Sequence, residues 1–323
     1  MKLALSPPLK PQLALSRAQL PEGAEYSYEI KLDGFRCVAF VDGAEAFMQS
    51  RTGKPLGRYF PEVALPAGRY VLDGELVVRD AGGHEDFDAL GQRIHPAASR
   101  VERLAIETPA RYVAFDLLAL EQDVLLEQPF ERRRSALEAL LANGEFDAAP
   151  VELMTTTASI EQARQWLLSA EGAIAKERSA PYRPGERKGM AKVKRVRTID
   201  AVVAGWRPGK ESDTVGALIL GLYTDSSDAA ELRVVGHCSG FTATEKRRLV
   251  RFLEPFATGE RGTADPSRWS SGRELEWVAL RPELVVEIDF DHVSAGRIRH
   301  GAKLRRWRED IDPRSCTVEQ LSQ

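Results

Sequence analysis

Residues 26–41 read YSYEIKLDGFRCVAFV, and the order of residue types in this stretch decides how the rest of the chain is understood. Tyr26–Ile30 and Cys37–Val41 are short runs of aromatic and β-branched residues and read as strands. Between them lies Lys31-Leu32-Asp33-Gly34. Glu29 precedes Lys31 by two positions, so on a strand the two side chains share a face. Arg36 follows Gly34 by two, and Arg51 lies in the next turn, Ser50-Arg-Thr-Gly53. A lysine amine, with an ordinary pKa of about 10.4, is neutral in only about one molecule in a few thousand at pH 7. A nucleophilic lysine therefore has to be desolvated or set beside other cations. The glycine would let backbone approach a phosphate, and guanidinium groups fit phosphate oxygens bidentately, which makes Arg36 and Arg51 candidate phosphate or ribose contacts. Taken alone, the tetrad also suits a surface turn.

Further out, two carboxylates stand in apolar surroundings, Glu75 in LDGELV and Glu171 in EGAIAKE. Such a group is costly unless it is paired, metal-bound or turned to solvent at a strand end. Two of them facing a phosphate would hold Mg²⁺, a hard cation that prefers oxygen ligands. Lys192 and Lys194 alternate with Ala191 and Val193, so both ammonium groups point to one side of a strand. Like charges so placed call for an anion between them, and they would help to depress the pKa of Lys31. Phe115, beside Asp116 in a strand, reads on its own as a core residue.

The elements around these residues form two textures. Up to about Thr198 the pattern is mixed: strands at Tyr70–Arg79 (a strand pair or a bulged strand), Tyr112–Leu120, Gly172–Lys176 and Ala191–Val196, with helices at Phe87–Ile94 and Glu131–Leu141. A capping box, Ser159-Ile-Glu-Gln162, opens a further helix. Beyond it come short strands at Asp200–Trp206, Ala217–Tyr223, Leu232–His237 and Leu284–Phe290, with one helix, Thr242–Leu253. That is the texture of a small OB-type barrel. The fold class expected is therefore α+β, with domains at 1–198 and 199–323 and a hinge at Thr198–Ala201.

Hydrophobic residues make up 43% of the 323 and charged residues 29%, which excludes disordered and helical membrane classes. Prolines at 7, 8 and 11 interrupt any signal-type apolar run, so a cytoplasmic protein is expected. Cys37, Cys238 and Cys316 are widely spaced and read as reduced thiols, not a zinc site. Net charge is −3, so any grip on nucleic acid has to be local. Arg187–Arg197 and Arg297–Arg308 each carry six Lys or Arg residues, and each could equally be a solvated face.

In order, KLDG, LDGE, FDLL, EGAIAKE and KVK resemble the covalent nucleotidyltransferase superfamily of DNA ligases, RNA ligases and mRNA-capping guanylyltransferases. Within it the chain is similar to the ATP-dependent DNA ligases, most of all the small stand-alone bacterial C-type enzymes. The likeness also takes in PPLKPQLA, Tyr182-Arg-Pro-Gly-Glu-Arg187, GALILGLY and RRWRED. It implies an N-terminal nucleotidyltransferase domain of ATP-grasp-like antiparallel sheets with helices, followed by a C-terminal OB-fold β-barrel. It implies ATP as cofactor, with AMP carried on Lys31, and Mg²⁺ or Mn²⁺. Glu29 would meet the adenine edge and Phe115 its face. Arg36, Arg51 and Arg187 would contact ribose and phosphates, Glu75 the ribose hydroxyls or a metal, and Glu171 a metal. Lys192 and Lys194 would hold the α-phosphate, and Arg308 and Asp310 would orient the pyrophosphate. The sequence departs from the family at Ile311, where lysine is common, and at Met190, where tryptophan often stands.

The expected activity is sealing of 5′-phosphate/3′-hydroxyl nicks in duplex DNA by a monomer, in DNA repair. The two basic runs would supply the DNA grip, there being no expected N-terminal clasping domain. An RNA ligase or a GTP-dependent capping enzyme is the alternative, and a non-enzymatic nucleic-acid-binding module the rival of a different class.

Overall fold

The computed structural model describes residues 3–264 and 275–322, and the chain divides into two compact units, Met1–Arg195 and Val196–Gln323. The boundary expected after Thr198 would cut a strand, because Arg197–Pro208 is continuous. Thr198–Ala201 pairs residue by residue with Val286–Asp289, so the expected hinge lies in a ladder whose hydrogen bonds resist rotation; the step between the units falls at Arg195–Val196, outside any strand.

The first unit contains two sheets. The larger runs Glu45–Ser50, Phe35–Gly43, Gly68–Val78, Ala110–Leu120 and Asp123–Val124, with Val151–Leu153 parallel to Ala110–Leu120. Its central strands are buried on both faces, which is why they read as unbroken apolar runs. Cys37, Ala39, Val41, Leu72 and Leu76 pack with Leu90 and Leu137 from the helices Phe87–Gln92 and Phe130–Leu141. Val38, Phe40, Val71 and Leu118 face the other way, against Tyr182. Gly68–Val78 is one strand, not a pair, with register shifts against Ala110–Leu120 at Val71/Leu72 and Asp73/Gly74.

The smaller sheet orders Leu15–Ser16, Met190–Lys194, Gly172–Glu177, Tyr26–Ile30 and Thr156–Thr157. Its back packs Tyr28, Ala173, Ala175 and Val193 on Ala163 and Trp166 of the helix Ile160–Ser169. The cap of that helix is one-sided: Ser159 Oγ accepts from the Gln162 N–H at 3.2 Å, while its own hydroxyl donates to Glu161 at 3.0 Å. The helix Ala98–Glu107 went unread in the sequence. Val101 and Leu104 are its only buried residues, so its apolar stripe is one turn long.

In the second unit Arg197–Pro208 serves several neighbours. Residues 197–202 pair with Val285–Phe290, Gly205 and Trp206 with Leu275–Leu280, and the opposite edge from Val202 onward with Val215–Tyr223. A strand that changes partner along its length bends the sheet around one core, here Ile199, Ala201, Val203, Leu218, Leu220, Val286 and Ile288. The helix Ala243–Leu253 closes it with Leu249 and Leu253. Thr242 is its N-cap, in a reciprocal capping box with Glu245. These curled antiparallel sheets with helices are the nucleotidyltransferase and OB architectures. All three cysteines are free and buried.

Candidate active site

The small sheet presents one face to a cleft of about 210 Å³ lined by Glu29, Lys31, Arg36, Arg51, Glu75, Phe115, Ile174, Arg187, Met190 and Lys192, among others. Strand register makes this face. Ile174 is opposite Glu29 on one side and Lys192 on the other; Gly172 is opposite Lys194, and Lys176 opposite Met190. Period-two alternation then puts Glu29, Ile174, Lys176, Met190, Lys192 and Lys194 on one side, with Ala173, Ala175, Ala191 and Val193 on the other. The chain leaves the sheet at Lys31, whose N–H donates to the Gly172 carbonyl at 3.0 Å.

Two glycines permit the close approaches. Gly172 has φ +156°, and a Cβ there would sit 2.2 Å from the Val193 carbonyl. A Cβ on Gly34 would lie 2.3 Å from the Leu76 carbonyl and 2.7 Å from Glu75 Cγ. The glycine of KLDG therefore admits the neighbouring strand, bringing Glu75 to the lysine, a tighter constraint than the expected approach of a phosphate.

The Lys31 ammonium is ion-paired with Glu171 and also donates to the Leu32 carbonyl at 3.3 Å. Its side chain is 18% exposed, so it points into the cleft and not into bulk solvent. Glu171 also faces Lys194 at 3.7 Å. The Lys192 amine is held below its ordinary pKa, first by burial and then by Lys31, Lys194 and Arg51. These four cations thus share one region, as an anion site requires. Burial pushes the Glu75 carboxyl up to about 7; Arg36 and Lys31 oppose this, while Asp73 and Glu171 add to it. Among the described residues no group of three or more His, Cys, Asp or Glu side chains forms a metal cage.

Phe115 is 8% exposed and packs with Val77, Val113 and Met154, yet it also lines the cleft. The guanidinium of Arg36 and the ammonium of Lys176 each lie 4.7 Å from its ring centroid. Arg36 donates bidentately to Asp73 (both 2.6 Å) and to the Gln12 carbonyl at 3.2 Å. Arg51 and Arg187 line the same cleft from exposed positions.

The sequence reading passed over several residues that build this site. Lys176, 6% exposed, bonds Glu29 at 2.8 Å and the Phe115 carbonyl at 3.2 Å. It stood within EGAIAKE, and alternation along that strand puts it on the same face as Ile174, the residue opposite Glu29. Asp73, fully buried, takes Arg36 and the Tyr182 hydroxyl at 2.6 Å, and that hydroxyl accepts the Gln12 N–H at 2.9 Å. Glu85 is raised by burial and feels Arg79, Asp33, Glu171 and Lys31. No local pattern marked Asp73, because its partners Arg36 and Tyr182 lie 37 and 109 residues away.

Arg308 and Asp310 belong to the second unit, where Arg308 donates to both oxygens of Asp310, each at 2.9 Å. Three of the six basic residues of Arg297–Arg308 face carboxylates of their own unit. Arg305 meets Glu287 (3.3 Å) and Asp289 (3.2 Å), Arg306 pairs with Glu287, and Arg308 also meets Asp200.

Residues 11–194 match the family described as ATP dependent DNA ligase domain, and residues 211–311 the ATP dependent DNA ligase C terminal region. The chain is 43% identical to DNA ligase C1 of Mycolicibacterium smegmatis, over 99% of this chain and 96% of that protein. It is 41% identical to DNA ligase C of Mycobacterium tuberculosis, again over 99% and 96%. The crystal structure of the ligase domain of M. tuberculosis LigD aligns with a TM-score of 0.51 and 26% identity, over 96% of this chain and 98% of that one.

Proposed function

This chain belongs to the ATP-dependent DNA ligases, and from that premise we propose that it seals 5′-phosphate/3′-hydroxyl nicks in duplex DNA through an AMP carried on Lys31. ATP use and action on DNA follow from the family, which sets aside the RNA-joining and GTP-using alternatives. The observation that carries the finer reading is Lys31 at the mouth of an anion-attracting cleft, set against Glu171 and beside Lys192, Lys194 and Arg51.

The residues take their parts from this geometry. The base enters the inner end of the cleft, its face on Phe115 and its edge at Glu29 and Lys176. Arg36, held in plane by Asp73, and the exposed Arg51 and Arg187 reach ribose and phosphates. Lys192 and Lys194 hold the α-phosphate against Lys31. In the first step the Lys31 amine, having lost its proton, forms a bond to the α-phosphorus as the bond to pyrophosphate breaks. The AMP then passes to the 5′-phosphate of the nick, and the 3′-hydroxyl attacks that phosphorus and expels AMP. Positioning and charge neutralisation supply the catalysis, as in other phosphoryl transfers. Glu75 and Glu171 fit a Mg²⁺ or Mn²⁺ ion: burial raises the Glu75 carboxyl and the nearby charge of Glu171 adds to this, so a hard cation, which prefers oxygen ligands, would be favoured beside the pair. Bound there, the ion would neutralise phosphate charge.

On this reading residues 1–195 form the adenylation domain and 196–323 the OB domain, the enzyme acts as a monomer in the cytoplasm, and its role is in DNA repair. Among the described residues no helix is long and apolar enough to cross a membrane. The deciding experiment is mass spectrometry of the purified protein after ATP and Mg²⁺, with the modified residue located. One AMP on Lys31 is expected; an adduct elsewhere, or none with ATP while nicks are still sealed, overturns the proposal.

A further inference from the structure

Arg308 follows the strand Lys303–Trp307, and its N–H donates to the Val285 carbonyl at 2.9 Å. Its guanidinium hydrogen-bonds two carboxylates of unlike kind, with Glu287 further off at 3.8 Å. Asp310 is two residues along the same segment, with a side chain 68% exposed, so its bidentate pair fixes Arg308 only relative to its own loop. Asp200 is different. It lies within the paired strand Arg197–Pro208, opposite Glu287, and its side chain is 23% exposed. Arg308 Nη1 donates to Asp200 Oδ1 at 3.0 Å and Oδ2 at 3.2 Å. This bond ties Arg308 to the sheet.

The peptide of Asp200 is itself clamped. Its N–H donates to Gln320 Oε1, and its carbonyl accepts from Gln320 Nε2, both at 3.1 Å. Gln320 belongs to the 3-10 turn Val318–Ser322 near the C-terminus. A chain of directed bonds thus runs from that turn through a rigid strand to one guanidinium. A charged group held on two sides keeps its plane, whereas one paired to its own loop moves with the loop.

We infer that Asp200 is a positioning residue for Arg308: it holds the guanidinium in the plane that meets the departing pyrophosphate, with Gln320 fixing the Asp200 peptide. The inference rests on the part in orienting the pyrophosphate of ATP that the family resemblance implies for Arg308. Asp200 acts through Arg308, and so belongs to the first chemical step and not to the joining of strands.

The test uses the full chain with Asp200→Ala, Asp200→Asn, Asp200→Glu, Gln320→Ala and Arg308→Ala. Two rates are measured in single turnover: transfer of labelled AMP from ATP to the protein, and sealing of a nick whose 5′-phosphate already carries AMP, without ATP. Misplacement of a charged group is expected to slow AMP transfer about tenfold or more in Asp200→Ala and Asp200→Asn, mainly in the maximal rate. Asp200→Glu should recover part of it, and Gln320→Ala should show a smaller loss of the same kind. Sealing of the pre-adenylated nick by the Asp200 and Gln320 variants should stay within about twofold of the unaltered enzyme. AMP transfer at the normal rate in Asp200→Ala, with Arg308→Ala slow, overturns the inference. Equal loss of both reactions with a lowered melting temperature also overturns it, showing a structural role only. Normal transfer in Arg308→Ala itself would instead defeat the role given to Arg308, a failure seen without touching Asp200.

Discussion

Lys31 and Lys176 lie on the same side of the small sheet and do different things. Lys31 sits at the cleft mouth, and Lys31→Ala should abolish both the AMP adduct and nick sealing while leaving the melting temperature within a few degrees, since Glu171, the partner it leaves, still has Lys194 at 3.7 Å. Adduct formation by that variant would be decisive against the nucleophile assignment. Lys176 is an interior ion-pair partner, and removing one member of a buried pair strands the other charge. Lys176→Met should therefore cost about 3–5 kcal/mol in chemical denaturation, and the double variant with Glu29→Gln should recover part of the loss. The pH dependence carries a sign. Burial raises the Glu29 carboxyl above its ordinary value of 4.5, even against Lys176. A carboxyl raised on folding gives stability that is present below that value and is lost as pH rises through the folded-state pKa. Without Lys176 the folded pKa rises further, so the deficit of Lys176→Met should grow from pH 5 to pH 8. A deficit independent of pH would mean that Glu29 is not the stranded group.

At the scale of elements, the proline-rich lead-in is fastened to the sheets by a few directed bonds. Leu13 N–H donates to the Glu186 carbonyl at 2.8 Å, and Gln12 is tied through Tyr182 to Asp73. Asp73 is the same carboxylate that holds Arg36. Tyr182→Phe keeps the ring in its core cluster and deletes only the hydroxyl, leaving the Gln12 N–H without this partner and Asp73 Oδ2 with Arg36 alone. The expected cost is about 1–3 kcal/mol in denaturation, with a higher KM for ATP because Arg36 loses part of its support. An unchanged KM would separate the lead-in from nucleotide binding. Strand positions were readable because period-two patterns and turn residues are local. Glu45–Ser50, Ala257–Ala264, Leu275–Leu280 and Lys303–Trp307 escaped. Three of these carry charged residues inside the strand, and their pairing, not their composition, makes them strands.

Over the whole molecule, a net charge of −3 leaves DNA binding to local positive patches. Each released counterion steepens the salt dependence, so neutralising only three phosphates implies about a 40-fold loss of nick affinity between 50 and 200 mM salt. Unchanged affinity over that range would rule out an electrostatic grip. Arg305 and Arg306 already have carboxylate partners, so their joint replacement by alanine should weaken nick binding less than joint replacement of Arg187 and Arg195. The order KLDG, LDGE, EGAIAKE and KVK determined by itself the family and the shared face of Lys192 and Lys194, and it singled out Lys31 as the proposed nucleophile, because each depends on residue identity or on alternation along one strand. Only the tertiary structure decided which charges answer one another: Lys176 to Glu29, Asp73 to Arg36, Asp200 to Arg308, and the acids that face part of the second basic run. Those pairs join positions dozens to more than a hundred residues apart, and the register that brings them within about 3 Å exists only once the sheets have formed.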